Sequence, residues 1–96
     1  MYVLRNVFLQ YGANARLDLQ SPNAVLIKNT GEVDVQINNF PLAPGDTFTS
    51  NLLVPQMIDD TIYNITFDPS ATGKKLVAVV ASFVSEEKPK DNGAKC

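Results

Sequence analysis

The sequence has no histidine, no tryptophan and one cysteine, Cys96, beside ten acidic and eight basic residues. Without imidazole there is no Ser-His-Asp or Cys-His nucleophilic centre, no histidine-ligated zinc and no imidazole proton shuttle. Carboxylates and amines are what remain for chemistry. Asp59-Asp60 is the one adjacent carboxylate pair apart from Glu86-Glu87. With Asp68 or Asp46 folded close by, such a pair offers oxygen ligands to calcium. The D-x-D-x-D-G loop is missing, however, so loop aspartates ahead of a strand are the expected reading. General acid–base catalysis needs two carboxylates across a cleft with separated pKa values, and no spacing here builds one. The chain is expected to be non-enzymatic, with no catalytic, cofactor-binding or metal-ligating residue and no cofactor.

Three further patterns reduce to structure on inspection. Gly73-Lys74-Lys75 lacks the rest of a phosphate loop and the helix that follows one, and reads as a solvated turn. Asn64-Ile65-Thr66 matches the glycosylation sequon but sits inside a strand pattern. The aromatics Tyr2, Phe8, Tyr11, Phe40, Phe48, Tyr63, Phe67 and Phe83 fall mostly at alternating strand positions, where core packing is expected; several exposed on one face would instead form a sugar-binding platform. A net charge of −2 gives no basic footprint for nucleic acid or for anionic membranes. The first residues lack a basic segment followed by an apolar run, so no signal peptide is expected, and no stretch reaches the ~20 apolar residues that cross a bilayer. A lone cysteine makes no internal disulfide, so the fold rests on its core.

The elements that must carry these residues are strands. Tyr2–Tyr11 has period-two patterning with β-branched and aromatic residues. Gly12-Ala13-Asn14 breaks it, Ala15–Gln20 alternates, and Ser21-Pro22-Asn23 is turn chemistry. Ala24–Lys28 and Glu32–Asn38 read as two strands of a hairpin, with Val33, Val35 and Ile37 facing the core. Phe40 to Asp46 is punctuation, in which Pro44-Gly45 fits the central pair of a type II turn. Thr47–Thr49 resumes an extended pattern. Asn51–Ile58, interrupted by Pro55, reads as an irregular connection or edge strand. Thr61–Phe67 is a strand, Asp68–Gly73 a loop, and Leu76–Val84 a strand apolar on both faces that belongs in the middle of the core. These patterns predict an all-β protein: a single antiparallel β-sandwich, jelly-roll-like or Ig-like, of seven or eight short strands. It occupies residues 1–84, and residues 85–96 form a polar C-terminal arm expected to order only against neighbours.

The run Ala24-Val25-Leu26-Ile27-Lys28-Asn29-Thr30-Gly31, then Val33-Asp34-Val35-Gln36-Ile37-Asn38 and Leu42-Ala43-Pro44-Gly45-Asp46-Thr47-Phe48, resembles small β-sandwich proteins of bacteriophage virions. These are capsid decoration, head-fibre and spike-base proteins, and nine asparagines suit their style. The resemblance implies a non-enzymatic structural subunit, made in the host cytoplasm and located in the virion. Its partners would be copies of itself or other virion proteins, with no nucleic acid and no membrane insertion. It transfers no functional residue. A carbohydrate- or ligand-binding β-sandwich module is the alternative.

Overall fold

The computed structural model describes residues 1–50 and 57–86. Eight strands follow one another: β1 (Tyr2–Tyr11), β2 (Ala15–Leu17), β3 (Ala24–Asn29), β4 (Val35–Ile37), β5 (Phe40–Leu42), β6 (Thr47–Thr49), β7 (Tyr63–Phe67) and β8 (Val77–Glu86). There is no helix among the described residues. The strands form two four-stranded sheets, ordered β1-β8-β3-β6 and β2-β7-β4-β5, with every pairing antiparallel.

This order is a rolled-up double strand. The chain doubles back at β4–β5, so that β1 meets β8, β2 meets β7 and β3 meets β6; rolling then brings β8 against β3 and β7 against β4. That is jelly-roll connectivity. An immunoglobulin-type sandwich keeps several consecutive strands paired within one sheet, whereas here only β4 and β5 do so. Every other connection crosses from one sheet to the other.

The expected hairpin of Ala24–Lys28 with Glu32–Asn38 is therefore corrected: β3 and β4 lie in different sheets. Both edges of β3 are already occupied, by β8 and β6, leaving no room for a third partner. The actual hairpin is β4–β5, closed by Asn38 and Asn39 at φ 50° and 72°. Two consecutive left-handed residues make a type I′ turn, which asparagine tolerates best after glycine. Phe40–Leu42, expected as punctuation, is thus a strand. Pro41 is accepted there because β5 is the edge of its sheet. The Pro44-Gly45 turn forms as expected: Asp46 N donates to Ala43 O at 2.9 Å, and Gly45 has φ 87°.

Alternation decides which side chains meet between the sheets. Val25 and Ile27 of β3 with Val77, Val79 and Ala81 of β8 face Leu17, Val35, Ile37, Tyr63, Ile65 and Phe67 of the other sheet, all buried. A fully buried amide closes the end of β3. Asn29, 0 % exposed, donates through Nδ2 to the Val33 and Leu42 carbonyls at 2.8 and 2.9 Å, while its Oδ1 accepts from Gly31 N at 3.0 Å. It pins the end of β3 to the start of the second sheet. Gly31 completes that crossing: a Cβ there would stand 2.5 Å from the Lys74 carbonyl oxygen.

Several strands are shorter than expected: β2 stops at Leu17, β4 spans Val35–Ile37 and β7 begins at Tyr63. β8 continues through Ser85 and Glu86, opposite Val3 and Tyr2, two residues into the segment expected as an arm. Of Asn51–Ile58, only Met57 and Ile58 lie within the described residues, both exposed and outside any strand. Residues 87–96, with Cys96, lie outside the described residues.

Candidate interaction surface

The outer face of the first sheet is the most unusual surface of the molecule. Register places side chains on it in rows across the strands: Leu4 beside Val84; Asn6 beside Ser82 and Ala24; Phe8 beside Val80, then Leu26 and Thr49; Gln10 beside Ala78, then Lys28 and Thr47. Among the described residues no second layer covers them. Phe8 is 74 % exposed and Leu4 52 %, with Tyr2 and Leu26 also exposed. The Ser82 hydroxyl donates to Asn6 Oδ1 at 2.7 Å, forming a polar row between the apolar ones. On the opposite face of the same strands, the Arg5 guanidinium stacks 4.9 Å above the Phe83 ring centre.

The backbone of β1 adds a second element. Asn29 exchanges hydrogen bonds with the turn before β6, since Asn29 N donates to Asp46 O and Gly45 N to Asn29 O. Ser50 N likewise donates to Val25 O. The odd residues of β3 therefore bond toward β6 and the even ones toward β8, because a strand alternates its bonding direction. Carried through the β3–β8 and β8–β1 registers, this directs the odd residues of β1 toward β8. The N–H and C=O groups of Leu4, Asn6, Phe8 and Gln10 then point to the open side of the sheet, where no strand lies among the described residues.

A second feature is a cleft of about 460 Å³ where the two sheets part at the β5–β6 edge. Phe40, 77 % exposed, lines it with Phe48 and Tyr63, whose rings meet edge to face at 5.8 Å. Just outside, the Tyr63 hydroxyl donates to Asp59 Oδ2, and Asp59 Oδ1 accepts from Thr61 N at 3.0 Å. Partial burial pushes the Asp59 carboxyl up; the hydrogen bonds from Tyr63, Thr61 and Ser50 outweigh it and hold the group below its usual value. Burial, and then the bond to Asp59, push the Tyr63 hydroxyl up to about 12.

The remaining sequence candidates are placed as follows. Asp59 is engaged with Tyr63 and Thr61, and Asp68 takes the Ser70 N–H and hydroxyl in a tight turn. No group of three or more Asp, Glu or Cys side chains comes together among the described residues in a way that would hold a metal ion. Lys74 N is bound by the Glu32 carboxylate at 2.9 Å, and Gly73 takes φ 124°. This stretch is a crossing between sheets. Asn64 is exposed on β7. The aromatics correct the expectation of core packing. Tyr63 and Phe67 are buried and Tyr11 and Phe83 pack at the margin, whereas Tyr2, Phe8, Phe40 and Phe48 are exposed.

Sequence reasoning missed the open face because an apolar central strand was read as covered on both sides. Val80 and Val84 are only half-buried. The available signal was the matching pattern Tyr2, Leu4, Phe8 on the even side of β1.

The fold and surface define a class: an eight-stranded jelly-roll sandwich with an apolar outer sheet face and an open edge strand. Among the described residues no helix is long and apolar enough to cross a membrane. Comparison with protein-family models, curated protein sequences and solved structures finds no match in any of the three.

Proposed function

We propose that this chain is a non-enzymatic structural subunit that self-associates or docks on a larger assembly, as a minor capsid, decoration or spike component of a bacteriophage virion. The observation that carries the reading is the row Phe8–Val80–Leu26, uncovered among the described residues, with Leu4 and Val84 beyond the Asn6–Ser82 row. Large apolar side chains exposed together on one sheet face mark a protein–protein contact more often than a free monomer's exterior. Jelly rolls occur in capsid proteins, and equally in lectins and cupins. An apolar sheet face suits burial against a neighbouring subunit better than it suits a hydrated sugar. On this reading the chain is made in the host cytoplasm and ends in the particle, its partners being copies of itself or other virion proteins.

A binding-module reading is favoured by one observation, the cleft with Phe40, Phe48 and Tyr63, which offers aromatic faces to a small ligand or a sugar ring. Size-exclusion chromatography with light scattering, beside a glycan array and mass spectrometry of purified particles, separates the two. A defined oligomer, or recovery of the chain in particles, is expected. A strict monomer that is missing from particles and binds glycans through the cleft overturns the structural reading.

A further inference from the structure

The four sheet edges are not alike. β2 and β6 are three residues long, and β5 is three residues long and carries Pro41. Short strands and proline are the usual devices that keep an edge from recruiting another chain. β1 has neither: it is ten residues long, has no proline or glycine, and pairs with β8 without a bulge. Its only charge, Arg5, lies on the face opposite Phe8, over Phe83.

We propose that β1 is the docking edge for a second copy of this chain, in antiparallel register about a twofold axis at Asn6. The proposal rests on the self-association reading above and names its surface. The outward groups belong to even residues, so an antiparallel copy must place even opposite even. Centring on Asn6 sets Asn6 against Asn6, Phe8 against Leu4, and Leu4 against Phe8. These three pairs exchange two backbone hydrogen bonds each, approaching the ~10 ± 5 of a typical interface before the strand ends or side chains contribute. Phe8–Leu4 is an aromatic–aliphatic cross-strand pair of the stabilising kind. On the other face Val3 meets Leu9, and Arg5 meets Val7. Moving the axis one step to Val7 sets Phe8 against Asn6 and Leu4 against Gln10, and both apolar pairs are lost. Centred on Asn6, the two four-stranded sheets join into one of eight strands, and the Phe8–Val80–Leu26 row of each copy runs on into Leu4 and Val84 of the other, on either side of a central row of Asn6 and Ser82.

The test uses the whole chain. Asn6→Pro removes one outward N–H, where proline is tolerated on an edge strand, and Phe8→Lys places a charge beside the axis. Far-UV circular dichroism and urea unfolding establish that each variant is folded. Sedimentation equilibrium is expected to give a dimer for the parent and at least a tenfold higher dissociation constant for both variants. In a Cys96→Ser background, Asn6→Cys is expected to oxidise to a covalent dimer. Paired Cα atoms lie about 5.5 Å apart, inside the ~4.4–6.8 Å disulfide range. Gln10→Cys, far from its own copy in the dimer, is expected to form no covalent cross-link. A parent oligomer unchanged by either folded variant, or cross-linked at position 10 and not at 6, overturns the edge assignment and leaves self-association standing. A parent that is monomeric at all concentrations overturns the edge assignment too, and the recovery of the chain in particles then decides the structural reading alone.

Discussion

Replacing Asn29 tests how the two sheets are held together. Asn29→Ala removes the Nδ2 donors from the Val33 and Leu42 carbonyls and the Oδ1 acceptor from Gly31 N. The Val33 carbonyl and the Gly31 N–H lose the partner that this 0 % exposed side chain supplied, whereas the Leu42 carbonyl keeps its ladder bond from Val35 N. Each buried unsatisfied group costs about 1–3 kcal/mol. A water entering the vacated space would recover part of this, so a net loss of about 2–4 kcal/mol is expected for the two groups, a large share of the ~5–15 kcal/mol of a small domain. With a urea m-value of about 1.5 kcal/mol/M, the unfolding midpoint falls by about 1.3–2.7 M. Asn29→Asp sharpens the test because it keeps the shape and the Gly31 bond while turning two donors into acceptors. Burial against two carbonyls raises the new carboxyl's pKa in the folded state. Its deficit relative to the parent is therefore smallest below the unfolded value of ~3.9 and grows as pH rises through the folded pKa. A loss under about 1 kcal/mol for Asn29→Ala, or an Asp variant whose deficit shrinks toward neutral pH, would refute this account.

Gly31→Ala is expected to cost about 2 kcal/mol or more, since the new methyl meets backbone that must shift; chemical denaturation checks it. Ile65→Ala, at a side chain 1 % exposed in the core, should cost about 2–5 kcal/mol with the m-value unchanged. The Asp59–Tyr63 bond sets two pH windows. Asp59 has a lowered folded pKa, so its contribution is present above ~3.9 and lost as pH falls through the folded value. Tyr63 has a raised one, so its contribution is present below ~10 and lost as pH rises toward about 12. Tyr63→Phe is expected to flatten both limbs of the stability–pH curve and to remove a phenol titrating at about 12 from the ultraviolet absorbance titration.

Much of the fold was legible in single residues. Val33, Val35 and Ile37 fell on the buried side as alternation required, and Pro44-Gly45 made its turn. What alternation does not carry is the identity of a strand's partner. β3 and β4 read as a hairpin because each is half-buried and the loop between them is short, yet both edges of β3 belong to distant strands. Asn38-Asn39 was hidden as a turn because Asn38 continues the alternation of β4. The interaction surface was the least legible part. An apolar residue facing solvent on β1 has the same sequence signature as one facing a second layer, and only the layer's absence tells Phe8 from Val79.

Pairing of the first strand with the last also governs how the chain leaves the ribosome. β1 is made first, and its in-sheet neighbour β8 spans residues 77–86. At synthesis rates of about 5–20 residues per second, β1 waits for seconds with both of its edges open. The sheet closes only when the most sequence-distant pairing forms, which places folding among the slow, non-local topologies. For those seconds the same strand that fits a finished copy also fits an unfinished one, so crowding of nascent chains on one message would favour misassembly, and slower initiation would favour soluble product.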